Sequence, residues 1–89
     1  MTEDELFKIH KHSFANKEEI VKSNTCGCFY CKEMFAPSEI KEWVDDKHGD
    51  TAQCPYCMID SVIGDASGIK ITKKLLEDLN KRYFLGKKL

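Results

Sequence analysis

The chain has 89 residues, of which 42% are hydrophobic and nine are aromatic, with a formal net charge of −1. This length fits one small domain, and the apolar content argues against intrinsic disorder. A total charge so close to zero argues against strong nonspecific attraction to nucleic acid.

The N-terminal part of the chain predicts two short helices. Thr2 and Glu5 have the spacing of a capping box, so a helix should begin directly after the threonine. Asn16 and Glu19 repeat that spacing and predict a second short helix. Residues 1–24 are therefore expected to form a helical N-terminal segment.

Residues 25–64 contain two pairs of cysteines, and the elements around these pairs predict a zinc ribbon with an inserted helix. A short strand is expected at 32–35, after the first pair. A proline followed by apolar residues at i, i+3 and i+4 predicts a compact helix over residues 37–44. Residues 51–53 should return as a strand into the second pair. The β-branched run 58–63 should form another strand.

Residues 69–86 predict a C-terminal helix. Thr72 is suited to its N-cap, and Gly86 is suited to close it. The apolar stripe of this helix consists of Leu75, Leu76, Leu79 and Tyr83. The expected fold class is α+β, in one domain over residues 1–89. It is a small zinc-ribbon or rubredoxin-like β-hairpin with two CxxC knuckles, packed by N-terminal, inserted and C-terminal helices.

The cysteine spacing carries the most specific signal in the chain. Cys28 and Cys31 are two residues apart, as are Cys54 and Cys57, and 22 residues separate the two pairs. Zinc prefers four tetrahedral ligands, and thiolates suit it well. The pattern predicts one Zn²⁺ bound by these four cysteines. With no ligand position left open, the site should be structural rather than catalytic.

Other interpretations of the cysteines stay open at this stage. Iron could occupy the same four sulfurs, as in rubredoxins, whereas a thioredoxin-like redox pair would need a βαβ unit that the sequence does not predict. Cys26 could replace Cys28 as a ligand, but its gap to Cys31 does not match the second pair. Met58 follows the last cysteine, where zinc knuckles tend to carry glycine, so this turn should be somewhat strained.

Four polar residues outside the cysteines allow an enzyme hypothesis: His10, His12, Asp60 and Ser61. Catalysis would require these side chains to converge in one cleft. On a helix, residues two positions apart point about 200° away from each other, so the two histidines could share a metal only on an extended segment. The favoured interpretation is one histidine at the edge of the core and one exposed to solvent.

Four segments, taken together, resemble a family of small bacterial cytoplasmic proteins. They are HKHS at 10–13, CGCFYC at 26–31, PSEI at 37–40 with Trp43, and CPYCMIDSVIG at 54–64. The resemblance covers roughly residues 10–84. It implies an intracellular location and a zinc-ribbon-like core with a double cysteine knuckle, and it brings no assigned activity.

The leading functional prediction is a protein-interaction module, in which zinc makes a recognition surface rigid. The alternative is a nucleic-acid-binding zinc ribbon, because residues 69–89 have a charge balance of +5 against −6 for residues 1–68. The third hypothesis is a small enzyme that uses His10, His12, Asp60 or Ser61. An acidic N-terminus and the lack of an apolar run of about 18–20 residues predict a cytoplasmic protein with no membrane partner. The pattern does not predict an oligomeric state.

Overall fold

The computed structural model describes residues 2–45 and 47–85, and this part of the chain contains three α-helices and five short strands. The helices are α1 (Glu3–His10), α2 (Lys17–Val21) and α3 (Lys73–Phe84). The strands are β1 (Cys26–Cys28), β2 (Met34–Phe35), β3 (Trp43–Val44), β4 (Thr51–Ala52) and β5 (Val62–Gly64). Single 3₁₀ turns lie at Lys11–Ser13, Pro37–Glu39 and Asp65–Ser67. The protein therefore has a small α+β fold with antiparallel sheets.

The predicted capping box of α1 is confirmed. The Thr2 hydroxyl accepts a hydrogen bond from the Glu5 amide (3.1 Å), and the Glu5 carboxylate accepts one from the Thr2 amide (3.1 Å). Both contacts satisfy amides that have no partner within the helix. The helix buries Leu6 and Ile9, which pack towards α3.

The predicted α2 is present, but its predicted capping box is wrong. Asn16 precedes the helix without capping it, because its side chain is buried and bonded to other parts of the chain. Its amide nitrogen donates to the carbonyls of Val62 (2.8 Å) and His12 (2.9 Å). Its amide oxygen accepts a hydrogen bond from the Ala52 N–H (3.0 Å). One asparagine thus joins β4, β5 and the turn that follows α1.

Two separate sheets surround the cysteines. The three-stranded sheet has the order β2-β1-β5, with Cys26 opposite Gly64 and Cys28 opposite Val62. The two-stranded sheet pairs β3 with β4 and places Trp43 opposite Ala52. The strands predicted at 32–35 and 51–53 are present in shorter form. The strand predicted at 58–63 begins only at residue 62.

The predicted inserted helix over residues 37–44 is wrong. Only the 3₁₀ turn Pro37–Glu39 forms, and Ile40 then adopts an extended conformation (φ −73°, ψ 127°). The aromatic Trp43 and the β-branched Val44 pair with β4 instead, as their strand preference allows. Because a helix of two turns is costly to nucleate, pairing with β4 determines the conformation of this segment.

The core has two parts, one on each face of the three-stranded sheet. The first packs α1 and α3 onto the sheet and contains Leu6, Ile9, Phe29, Ile63, Ile71, Leu75, Leu76 and Leu79. The second lies on the cysteine side and contains Ile20, Cys26, Cys28, Phe35, Ile40, Ala52, Cys54 and Val62. Trp43 is half-buried and packs against the second part. Successive residues of a strand face opposite sides, which explains why Val62 and Ile63 belong to different parts.

Helix α3 lies close against β1 and the first cysteine pair. A Cβ atom on Gly27 would lie 2.9 Å from the Leu76 side chain of α3, so glycine permits this approach. The Asn80 amide nitrogen donates to the carbonyls of Phe29 and Tyr30, both at 3.0 Å. The predicted Thr72 cap is confirmed by its bond from the Leu75 amide (3.1 Å).

The predicted closing residue, Gly86, lies outside the described residues, and the helix is followed by Leu85 in the left-handed region (φ 55°). In the described ranges, no helix combines the length and the apolar composition needed to span a bilayer.

Candidate metal centre

The first cysteine turn, residues 28–33, is a tight loop that leaves the end of β1. The Cys28 amide donates to the Glu33 carbonyl (3.0 Å), and the Lys32 amide donates to the Cys28 carbonyl (2.8 Å). The Tyr30 amide donates to the Cys28 sulfur at 3.4 Å. Lys32 closes the turn with a positive φ of 67°. The backbone thereby holds the Cys28 sulfur in a fixed direction.

The second cysteine turn, residues 54–59, repeats these contacts. The Cys54 amide donates to the Ile59 carbonyl (3.0 Å), and the Met58 amide donates to the Cys54 carbonyl (2.9 Å). The Tyr56 amide donates to the Cys54 sulfur at 3.3 Å. Met58 has a positive φ of 65°. The left-handed conformation expected at Met58 is therefore present, and the same conformation at Lys32 was missed although it occupies the equivalent position.

The two turns face each other and bring four sulfur atoms together. All four Sγ atoms, those of Cys28, Cys31, Cys54 and Cys57, lie within 4.8 Å of one another. Across the two turns, the sulfurs of Cys28 and Cys57 lie 3.7 Å apart and those of Cys31 and Cys54 lie 3.6 Å apart. Four thiolates bonded to one zinc at about 2.3 Å would place neighbouring sulfurs about 3.8 Å apart. A disulfide would instead require about 2.05 Å. The cluster thus has the dimensions of a tetrahedral thiolate site.

The surroundings of the sulfurs disfavour thiolates unless a cation lies between them. Burial raises the pKa of the Cys57 thiol, the Ile59 amide acts in the opposite direction, and the neighbouring Cys28 sulfur raises it further. A metal ion supplies the positive charge that lets such crowded thiols deprotonate. The buried Ser61 hydroxyl lies 3.2 Å from the Cys28 sulfur, where it can donate to a thiolate. The four thiols therefore lie close enough together to bind a metal ion, and one hydroxyl lies within hydrogen-bonding distance of the Cys28 sulfur.

Cys26 lies outside this cluster. It is buried on β1 between Phe35 and Gly64, and it packs in the apolar core beside Ile20. Burial raises the pKa of its thiol to about 12, and Asp65 acts in the same direction. A thiol in this environment stays protonated and packs as a small hydrophobic group.

His10 packs against the C-terminal helix rather than facing a cleft. Its ring is stacked on Tyr83, with centroids 3.9 Å apart and an interplanar angle of 16°. Burial lowers the pKa of His10, and the nearby Arg82 charge lowers it further. A neutral, stacked ring is the expected form, which fits the prediction of a histidine at the edge of the core.

The four polar residues of the enzyme hypothesis do not share a cleft in the described structure. The His12 Nδ1 atom lies 3.0 Å from the Glu19 carboxylate, whereas Ser61 contacts the Cys28 sulfur and Asp60 is exposed. Within the described ranges, neither histidine joins a group of three or more candidate metal ligands. The pairing of His12 with Glu19 was not predicted, because the spacing of Glu19 from Asn16 had indicated a helix cap.

Comparison with known proteins gives no assignment: no protein-family model matches the chain, and neither curated proteins nor solved structures gave a match. The resemblance to a family of small bacterial cytoplasmic proteins therefore stays a prediction. The function must be argued from the site alone.

Replacing Met58 with glycine is expected to stabilise the second cysteine turn. A residue other than glycine in the left-handed region costs about 1–2 kcal/mol. Glycine avoids this cost, but it loses about 0.5–1 kcal/mol more in conformational entropy on folding. Met58→Gly should therefore raise the free energy of unfolding by up to about 1 kcal/mol, measured by chemical denaturation of the metal-loaded protein. Met34 is also exposed but lies in β2, so Met34→Gly should destabilise the protein. Equal losses in both variants would contradict the strain at Met58.

Proposed function

We propose that this chain is a small structural zinc protein in which Cys28, Cys31, Cys54 and Cys57 bind one Zn²⁺. The observation that carries the proposal is the pair of sulfur distances across the two turns, 3.6 and 3.7 Å, which match a tetrahedral ZnS₄ centre. Four protein ligands leave no position for a substrate, so the metal serves the fold. Iron takes the same ligands in rubredoxin-type sites, and the metal content distinguishes the two.

The proposed zinc ion would join the two sheets. The first cysteine turn follows β1 of the three-stranded sheet, and the second follows β4 of the two-stranded sheet. The sulfurs of Cys28 and Cys54 are buried in the core part that lies between these sheets. A metal crosslink there supports a domain too small to gain much stability from burial alone.

The function that we propose for the zinc-stabilised fold is protein interaction. The second cysteine turn presents large apolar side chains to solvent, with Tyr56 58% and Met58 48% exposed. The Tyr56 hydroxyl donates to the Glu39 carboxylate at 2.8 Å, which holds the ring in place before any partner binds. Aromatic residues and methionine are enriched in protein interfaces, and a rigid turn loses little entropy on binding.

The structure gives less support to nucleic-acid binding through the basic C-terminal helix. Three of its basic side chains already have acceptors in the protein. Lys73 donates to the Lys32 carbonyl (2.6 Å), and Lys74 pairs with Asp78 (2.8 Å). Arg82 lies 3.8 Å from Glu3. Binding to nucleic acid that weakens steeply with added salt would favour this second function over protein interaction.

The test of the metal proposal is the metal content of the untagged protein, determined by mass spectrometry, followed by thermal melting with and without a strong chelator. We expect one zinc per chain and a large fall in melting temperature on chelation, because a structural metal contributes its binding free energy to folding. Absence of metal, iron in place of zinc, or two metals per chain would each refute the single-zinc proposal.

A further inference from the structure

A groove of about 460 Å³ lies between α1 and residues 68–70, beside the core part that contains α1 and α3. The side chains of Ile9 and Ile69 give it an apolar floor. Lys8, Lys70 and His12 line it together with one acidic residue, Glu5. Its volume falls in the range of about 300–1,000 Å³ that is usual for small-molecule sites.

The side chains that line this α1 groove carry the positive charges of Lys8 and Lys70 against the single negative charge of Glu5. Lys70 is exposed and makes no ion pair within the described ranges. Lys8 has only a loose contact with Asp4, at 3.9 Å between two exposed side chains. The Glu5 carboxylate is already engaged, since it accepts hydrogen bonds from the Thr2 amide (3.1 Å) and hydroxyl (3.0 Å). The groove therefore has two ammonium groups and one carboxylate, and this carboxylate already accepts hydrogen bonds in the helix cap.

His12 adds an oriented hydrogen-bonding group to the groove. Both oxygens of the Glu19 carboxylate lie near its Nδ1 atom, at 3.0 and 3.1 Å. A carboxylate only accepts hydrogen bonds, so the hydrogen sits on Nδ1 and the ring is held in one orientation. The Nε2 atom has no hydrogen bond within the described part of the chain. When protonated, it can donate to an anion in the groove.

From this arrangement we propose that the α1 groove binds a small amphipathic anion, a carboxylate or phosphate group on a short hydrocarbon chain. The hydrocarbon lies along Ile9 and Ile69, where its burial provides the hydrophobic part of the affinity. The head group is bound by Lys70 and Lys8, with His12 Nε2 as an additional donor when the ring is protonated. This proposal does not depend on the identity of the metal or on a protein partner.

The experiment is an NMR titration of the ¹⁵N-labelled full chain, as purified, with four probes below their micelle concentrations. Octanoate and octyl phosphate have the proposed chemistry, octylammonium has the opposite charge, and acetate lacks the hydrocarbon. We expect saturable shifts of the amides of Ile9, His12 and Ile69 with octanoate or octyl phosphate, and affinities weaker by about tenfold or more for octylammonium and acetate. The better of the two anions identifies the head group.

Matched charge reversals locate the head group. Lys70→Glu is expected to weaken binding of the better anion by about tenfold or more, as expected for a lost charged hydrogen bond. Lys41 is also exposed but does not line the groove, so Lys41→Glu should leave the affinity unchanged. The absence of saturable shifts, shifts confined to other surfaces, or equal binding of octylammonium would overturn the proposal. The comparison of probes uses the unmodified chain, so it does not depend on a variant that folds.

Discussion

Replacing Cys28 with alanine is expected to abolish stoichiometric zinc binding and to lower the free energy of unfolding by several kcal/mol. Zinc contributes apparent free energies of about 10–16 kcal/mol in small zinc-dependent folds at neutral pH, so losing one of four thiolates removes most of that stabilisation. The substitution also removes the sulfur that Ser61 and the Tyr30 amide contact. Metal content by mass spectrometry and chemical denaturation measure the two effects.

Cys26 provides a matched control for this substitution. It lies two residues earlier on the same strand, and both side chains have a relative exposure of 0%. Cys26→Ala should retain one zinc per chain and lose only the small packing contribution of a thiol, about 1–2 kcal/mol. Loss of zinc from Cys26→Ala, with zinc retained by Cys28→Ala, would show that Cys26 is the ligand and would refute the sulfur cluster described here.

The cysteine cluster was predictable because the two cysteines of each pair lie close together in the sequence. Each pair is separated by two residues, a spacing that a single turn converts directly into two sulfurs pointing the same way. The same locality explains the success at α1 and α3, where the caps Thr2 and Thr72 act on amides three residues away. The second left-handed residue, Lys32, could also have been predicted by comparing the two turns position by position.

The failures at residues 37–44 and at Asn16 involve contacts between distant parts of the sequence. The apolar spacing of Ile40, Trp43 and Val44 fits a helical face, yet the last two pair with β4. The sequence of residues 37–44 does not indicate which segment will be its partner strand. Strand preference and the pairing itself outweighed a pattern that only three residues supported.

The interpretation of Asn16 as a helix cap was wrong, and its actual contacts predict a large effect of replacing it. If Asn16 were only a helix cap, its replacement by alanine would cost about 1 kcal/mol. In the structure, Asn16→Ala leaves the carbonyls of Val62 and His12 and the Ala52 amide without their partner. Two of these three bonds, those with Val62 and Ala52, are buried, and each polar group left unsatisfied in the interior costs about 1–3 kcal/mol, so the total loss should be at least about 2 kcal/mol.

Thermal melting can separate these two values. For a domain of this size, 1 kcal/mol corresponds to about 4–8 °C, so Asn16→Ala should lower the melting temperature by about 8 °C or more. Asn24 is a suitable control because it is exposed and bonds Asp65 through its backbone amide (2.8 Å), which alanine retains. Asn24→Ala should therefore change the stability by less than about 0.5 kcal/mol. A loss of only about 1 kcal/mol in Asn16→Ala would support the cap and contradict a bridge between β4, β5 and the turn after α1. The larger loss would instead identify the buried Asn16 amide as a second link between the two sheets, in addition to the zinc proposed between the two cysteine turns.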